Sequence, residues 1–424
     1  MVGGQAPVVA LPWPVLATAA AEELVLPTVH GVHRAVSDAA FRWVGPPGRP
    51  VQRALDRVTD TAYLGVGCLL QGVESGLRHG LARAALRRGV APAAHGASRT
   101  RAIVAGVGDR RMRARAGLTE APMSLHVAGR ADPIAPEELA AALPAPTSRV
   151  VVLVHGLLDT EQLWRGSPAV PSLPAVAAGS GAAVLLVRYD TGRPVTASAE
   201  ALAELLEAVL AAWPGGLRQL VLVGYSMGGL VLRGAAHVAT GARMAWPGTV
   251  SDVLHLATPH LGSWLEKTAN VTSWTLRHAS PVTAPLGALL DRRSQGIKDL
   301  RFGPVQRDQP QGGADGLLAG WGGSPSWQPV ARHHLVAGRL HARARHPLNL
   351  ALGDALVRAG SARGAGPLRR VPGPSPASVT ELPAGHLALV RRAEVATLLR
   401  DVLAAPVAPV APAPPDRVTG TLAG

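Results

Sequence analysis

Leu220-Val221-Leu222-Val223-Gly224-Tyr225-Ser226-Met227-Gly228 is the stretch that decides the fold. Four consecutive aliphatic residues read as a strand buried on both faces, and the Ala/Leu/Val-rich run from Leu230 reads as a helix. Between them lies Gly-x-Ser-x-Gly. In the order strand, sharp turn, helix, this motif is a nucleophile elbow, whose strained turn projects the serine Oγ alone above a sheet. Gly224 and Gly228 lack Cβ atoms, so strand and helix can approach closely across the turn. The bare motif occurs often by chance. Its placement between a buried strand and a helix is what makes Ser226 a candidate nucleophile rather than an ordinary turn serine.

The same alternation extends to either side. Met123 to Val127 alternates as a half-exposed strand would, and Arg149 to Val154 is a continuous apolar run expected of a central parallel strand. Further strands are expected at Ala183 to Val187, Val253 to Ala257 and His334 to Ala337, with a weaker one at Ser378 to Glu381. The clearest helix, Ala199 to Trp213, carries Leu202, Leu205, Leu206, Val209 and Trp213 on one face. Strand–helix alternation of this kind predicts an α/β fold, a mostly parallel central sheet flanked by helices, with ligands at the carboxyl ends of the strands.

Three parts depart from that pattern around a unit spanning 121–403. Residues 1–120 form an Ala/Arg-rich helical N-terminal extension, broken at Pro46-Pro47-Gly48 and around Pro92. Residues 261–330 are a long Pro/Gly-containing insertion between two strands, with four of the nine tryptophans: Trp264, Trp274, Trp321 and Trp327. Its position places it as a cap over the carboxyl edge; ordinary helical decoration is the plain alternative. The Pro/Ala-rich tail, 404–424, reads as extended or disordered.

Composition narrows the chemistry. Of 424 residues 47% are hydrophobic and only 3% aromatic, so aliphatic side chains must fill the core. Cys68 is the only cysteine, which excludes an intramolecular disulfide or a thiolate metal site and fits a reducing compartment. The net charge of +14 is almost all arginine, Lys267 and Lys298 being the only lysines. Between Arg78 and Arg115 stand ten arginines and one acid, Asp109. That block can attract anionic membrane; a solvated helical face with snorkelling side chains accounts for it equally simply. No aromatic residue interleaves with it, so nucleic acid is not expected as a partner. The N-terminus has no basic region and its apolar run is interrupted by Pro12 and Pro14, unlike a signal peptide. No run approaches the roughly 20 apolar residues of a spanning helix. A cytoplasmic protein, at most peripheral to the membrane, is expected.

A serine hydroxyl needs a base within hydrogen-bond reach to act as a nucleophile. With an elbow serine the chain order is serine, acid, histidine. His386 follows the last strand and precedes an apolar-periodic helix, which selects it among fifteen histidines. His333, His334 and His346 come too early; His260 suits the loop or cap base, and His155 a loop brace. Asp354 is the only carboxylate between Asp315 and Glu381 and is the candidate acid, although about sixteen residues separate it from the preceding strand. The oxyanion donors expected are the backbone N–H groups of Met227, directly after the serine, and of Leu157 in His155-Gly156-Leu157-Leu158. Leu158 and Trp264 are candidate substrate contacts. No metal or organic cofactor is called for.

These residues resemble the α/β-hydrolase superfamily, in particular its bacterial lipase/esterase branch related to GPI inositol-deacylases. Four stretches carry the likeness: VHGLLDTEQLW (154–164), VGYSMGGLVLRGA (223–235), LHLATPHLGSWLEK (254–267), and LGDALV with AGHLALV (352–357, 384–390). The resemblance implies an α/β-hydrolase fold with Ser226, Asp354 and His386 as triad and Leu157 and Met227 as oxyanion donors. It also implies an acyl-enzyme hydrolase of carboxylic esters; the Trp-bearing cap, the aliphatic composition and the basic N-terminal region together favour an acyl-lipid or other apolar ester. An acyltransferase or thioesterase could use the same triad, and a non-catalytic membrane-binding relative could share the fold. Asp354 is followed by Ala355 where the family often has glycine, and Arg358 is unusual near an apolar site.

Overall fold

A computed structural model describes residues 26–88, 102, 105–107, 113, 121–130, 132–143, 147–165, 170–263, 266, 294–300, 331–366, 370–372 and 375–406. Seven strands make one sheet: β1 (Ser124–Val127), β2 (Arg149–Val154), β3 (Ala183–Arg188), β4 (Gln219–Tyr225), β5 (Val250–Leu256), β6 (Arg332–Gly338) and β7 (Ser378–Leu382). Their order is β1-β3-β2-β4-β5-β6-β7. β1 runs antiparallel to β3 and every other pairing is parallel. β4 therefore sits at the centre of the sheet, and all seven of its residues are buried.

The period of two along these strands divides the apolar side chains between two cores. Val150, Val152 and Val154 of β2 and Leu220 and Leu222 of β4 face one core. That core is closed by α4 (Val195–Ala212) and α5 (Met227–Gly241) through Leu202, Leu206, Leu230 and Val231. Val151, Leu153, Val221 and Val223 face the other core. There α3 (Leu173–Gly179) and α6 (Ala393–Ala404) pack through Leu173, Val176, Val395 and Leu399. Both faces of the sheet are thus covered, which is why β2 and β4 read as unbroken apolar runs.

Several expected boundaries move for physical reasons. α4 begins at Val195, because Pro194 supplies the turn into it and nothing before Ala199 interrupts it; Asp299 Oδ2, at the end of the short helix Gln295–Asp299, accepts the Val195 N–H at 2.8 Å as a cap from a distant segment. β5 stops at Leu256, since Ala257 turns into the left-handed region at φ 50°. β1, expected to be half-exposed, is a correction: Leu125, His126 and Val127 are all buried. The turn at Glu161–Trp164 shares a cavity wall with His126 on the side that alternation would leave open.

In the N-terminal region α1 (Leu26–Val44) and α2 (Arg49–Arg88) are helices, with the break between them at Pro46–Gly48. They are joined by His30 Nε2 to Asp60 at 2.7 Å and by Ser37 Oγ donating to Asp56 at 3.1 Å. Among the described residues no helix is long and apolar enough to cross a membrane. Five of the ten arginines of the block (Arg99, Arg101, Arg110, Arg111 and Arg115), the four tryptophans of the insertion and the tail from residue 407 lie outside the described residues.

Glycine at three places lets the elbow close against its neighbours, Gly224 between β4 and α5, Gly228 against the end of β2 and Gly229 against the turn after β5. A Cβ on Gly224 would stand 2.6 Å from Gly229 Cα, one on Gly228 would overlap the Val154 carbonyl, and one on Gly229 would overlap Thr258 Oγ1. Gly229→Ala should therefore cost about 1–3 kcal/mol of stability through overpacking. Thr258→Gly, which removes the atoms it would strike, should return part of that loss in a double variant. Urea denaturation of the two single variants and the double one checks this; strictly additive losses would show that the two sites do not collide.

Candidate active site

Ser226 joins β4 to α5 at φ 51° and ψ −121°, a backbone that non-glycine residues rarely adopt. Its N–H donates to Leu256 O at 2.8 Å, which anchors the turn to β5. His386 arrives from the far end of the chain, in the turn after β7, with its Nε2 2.9 Å from Ser226 Oγ. Its Nδ1 is 2.8 Å from Asp354 Oδ2. A carboxylate only accepts, so Nδ1 carries the ring proton; in the neutral ring Nε2 is then an acceptor for the Ser226 hydroxyl. All three side chains are buried.

Asp354 is held at both oxygens and along its backbone. Oδ1 accepts N–H groups of Leu356 at 3.0 Å and Val357 at 2.8 Å, while Asp354 O accepts the His386 N–H at 2.9 Å. The long gap between β6 and this residue is an excursion that closes on itself. Leu340 N–H donates to Gly353 O at 3.0 Å, and the Asn349 side chain bonds both His341 and Arg343 across the loop. Asp354 is thereby returned to the end of β6, where a Cβ on Gly338 would lie 2.8 Å from its own Cβ. Gly353 (φ 65°) and Ala355 (φ 93°) take left-handed backbones on either side of it.

The turn after β2 lies against the elbow. A Cβ on Gly156 would stand 3.0 Å from the Tyr225 ring and 3.1 Å from Ser226 Cβ. Leu158 is left-handed at φ 63° and spends its N–H on Thr191 Oγ1 at 3.3 Å. Among the described residues Leu157 N–H has no partner, and Met227 N–H, first in α5, has none within its helix. His155 braces this turn. Its Nδ1 lies 2.9 Å from Gly156 O, its Nε2 accepts Tyr189 N–H at 3.3 Å, and its ring stacks on Tyr189. Burial lowers its pKa to about 4, so it is neutral there. Trp264, the other candidate substrate contact, lies outside the described residues.

Several contributors carried no signal in the sequence. Tyr225 donates its hydroxyl to His386 O at 3.0 Å, tying the base to the elbow from below; burial, then the Asp354 carboxylate, raises the phenol pKa. Arg113, from the arginine block, is turned inward onto Asp190, which also accepts Gly192 N–H at 3.0 Å. Gly106 packs against Leu158 and Thr191, and its carbonyl accepts the Ser294 hydroxyl. Residues far upstream thus touch the turn after β2. His260 lies apart from the serine: its Nδ1 is 3.0 Å from Arg233 Nη1, and its ring meets His255, which in turn stacks on His333. Among the described residues no group of His, Cys, Asp and Glu could hold a metal ion.

The chain belongs to the alpha/beta hydrolase family, whose model matches residues 151–398. Among solved structures it is similar to a Bacillus licheniformis lipase in mature form, at 18% identity and TM-score 0.40 over 62% of this chain and 94% of that one. It is also similar to a Pyrococcus furiosus esterase (11% identity, TM-score 0.33, 61% and 81% covered) and to a Pyrobaculum calidifontis esterase (16%, 0.35, 63% and 79%). No curated protein matches it.

Two expectations follow from this geometry. Ala355 holds a conformation that suits glycine, so Ala355→Gly should raise stability by about 1 kcal/mol, read as a higher urea midpoint with an unchanged slope. The second concerns pH. Burial lowers the pKa of His155 to about 4 and those of His255 and His260 well below the ordinary histidine value. Below about pH 6.5 the unfolded chain binds protons at these positions that the folded chain refuses. Stability present above pH 6.5 should therefore fall by about 1.4 kcal/mol per pH unit for each such histidine down to its folded pKa. A stability profile flat between pH 6.5 and 4.5 would contradict this.

Proposed function

We propose that this protein is a serine hydrolase of carboxylic esters, a lipase/esterase (EC 3.1.1 type) working through an acyl-enzyme. The observation that carries the proposal is the hydrogen-bonded chain Ser226 Oγ, His386 Nε2, His386 Nδ1, Asp354 Oδ2, with links of 2.9 and 2.8 Å. Ser226 Oγ attacks the ester carbonyl as its proton passes to His386 Nε2. Asp354 holds the ring in the tautomer that can accept that proton and stabilises the imidazolium. Leu157 and Met227 N–H groups receive the oxyanion, each such donor typically contributing about 10²–10³ in rate. The tetrahedral adduct collapses by breaking the bond to the alkoxy oxygen, which takes the proton from His386 and leaves as the alcohol. Water then gives a proton to His386 and attacks the acyl carbonyl; collapse returns that proton to Ser226 and releases the carboxylic acid. No metal or organic cofactor enters this scheme.

An apolar substrate is favoured by the surroundings. Leu387, next to the base, is 76% exposed, and Leu340, packed near Gly385, is 44% exposed. Such apolar side chains beside the site suit an acyl chain, with Leu158 and Trp264 as further contacts. The motifs at 154–164, 223–235 and 254–267 support placement in the lipase/esterase branch related to GPI inositol-deacylases. The proposed setting is the cytoplasm, with peripheral contact to anionic membrane through the arginine block.

Intact-mass labelling with a fluorophosphonate probe tests the nucleophile: one adduct on the wild type and none on Ser226→Ala is expected. With p-nitrophenyl esters Asp354→Asn should lose about 10³–10⁴ in kcat, because the imidazole then takes the wrong tautomer. An adduct persisting in Ser226→Ala, or Asp354→Asn at wild-type turnover, would overturn the assignment. Faster p-nitrophenol release on adding an alcohol, with ester rather than acid as product, would point to acyl transfer instead.

A further inference from the structure

The turn after β2 and the turn after β3 are bonded to each other on both sides of Leu157. Before it, His155 Nε2 accepts the Tyr189 N–H at 3.3 Å and His155 O accepts the Tyr189 hydroxyl at 2.9 Å. After it, Thr191 Oγ1 accepts the Leu158 N–H at 3.3 Å. Leu158 holds φ 63°, a backbone that its own side chain disfavours, so the peptide joining Leu157 to Leu158 needs an outside partner to keep its direction. The Thr191 hydroxyl is that partner. Leu157 is thus held from both sides, while its own N–H stays unbonded among the described residues.

Thr191 is itself fixed. It is 2% exposed, and two segments distant in sequence close on it. A Cβ on Gly106 would stand 2.8 Å from its Oγ1, and one on Gly296 would overlap its carbonyl. One residue further, a Cβ on Gly192 would overlap the Ala105 carbonyl, and Gly192 O accepts the Gly296 N–H at 3.4 Å. The two segments are joined to one another, since the Ser294 N–H donates to Val107 O at 3.0 Å and its hydroxyl to Gly106 O. One residue before, Asp190 pairs with the buried Arg113. Packed in this way, a β-branched side chain with one preferred rotamer keeps its oxygen in place.

We propose that Thr191 is a positioning residue for the reaction: through Leu158 it sets the direction in which the Leu157 N–H meets the carbonyl oxygen of the substrate. The proposal rests on the ester-hydrolase reading, in which that N–H receives the oxyanion. Negative charge on this oxygen develops in the transition state, so a misdirected donor slows turnover without weakening substrate binding. The acceptor oxygen of Thr191 carries the effect and its methyl group does not.

Hydrolysis of p-nitrophenyl butyrate by the full chain, its Thr191→Val and its Thr191→Ser variants tests this. Thr191→Val keeps the shape and loses the acceptor, so kcat and kcat/KM should fall together by about tenfold or more at constant KM. Thr191→Ser should keep most of the wild-type rate. Inhibition by phenyl trifluoromethyl ketone, whose adduct with a serine carries an oxyanion, should weaken by a similar factor in Thr191→Val and recover in Thr191→Ser. A residue that only packs gives the reverse order, harmless as valine and damaging as serine, and that result would overturn the proposal. So would wild-type kinetics in Thr191→Val, or a loss carried by KM. Gly106→Ala, whose new Cβ presses on Thr191 Oγ1 and Leu158, gives an independent reading: lower kcat with unchanged circular dichroism supports the proposal, and wild-type kcat opposes it. A wild type that neither hydrolyses the ester nor takes a fluorophosphonate adduct would overturn the ester-hydrolase reading as well, whereas an active wild type indifferent to Thr191 overturns this proposal alone.

Discussion

A left-handed backbone at one serine organises everything around it. At φ 51° Ser226 has a conformation that costs a residue with a Cβ on the order of 1–3 kcal/mol. It persists because the turn is pressed between its neighbours where glycine permits it: Gly224 lets β4 meet α5, Gly228 lets α5 meet the end of β2, and Gly229 lets it meet Thr258. The consequences spread outward. Met227 becomes the first residue of a helix, so its N–H faces outward without a helical partner. Gly156 fits against Tyr225 and Ser226, which sets the distance of the turn after β2 from the serine. The buried sheet and its two cores supply the stability that keeps this strained turn closed.

Positioning of His386 follows a different logic: it opens the short helical turn His386–Arg391, and bonds to distant segments aim its ring. Three hydrogen bonds from outside do so: Asp354 takes both the ring N–H and the backbone N–H, and Tyr225 donates to the backbone carbonyl. The acid and the elbow thus hold the histidine from two sides. Because Asp354 is itself fixed by two backbone N–H groups, rotation of its carboxylate away from the ring would cost three hydrogen bonds together.

What the sequence made legible was whatever depended on local pattern. Unbroken runs such as Arg149–Val154 and Leu220–Val223 read as buried strands because both faces of the sheet are covered, and the helix around Leu202 and Leu206 read by its spacing. Ser226, Asp354 and His386 could be named as candidates because elbow, strand order and a scarcity of carboxylates each leave few choices, and the fold brings those three side chains together. Less visible was anything created by contact between distant segments. On its outer side β1 faces a turn some forty residues on, Glu161–Trp164, with which His126 shares a cavity. Tyr225 stands at an unspecified position of the motif, and its bond to His386 joins residues 161 positions apart. The excursion before Asp354 looked too long because the Asn349 hydrogen bonds that fold it back have no periodicity to read.

Arg113 and Asp190 set a limit on where the polypeptide can be divided. Composition changes near residue 120, which makes that point look like a seam. Yet a guanidinium from before it is buried against a carboxylate after it, with side-chain exposures of 10% and 3%. A chain cut at the seam would leave Asp190 as a buried charge without its counter-ion, a loss of about 3–5 kcal/mol in such pairs. It would also uncover Leu158 where Gly106 now sits. In the course of evolution the two parts are consequently bound to change together: neither can be exchanged for a foreign segment unless the newcomer brings a cation to that same place.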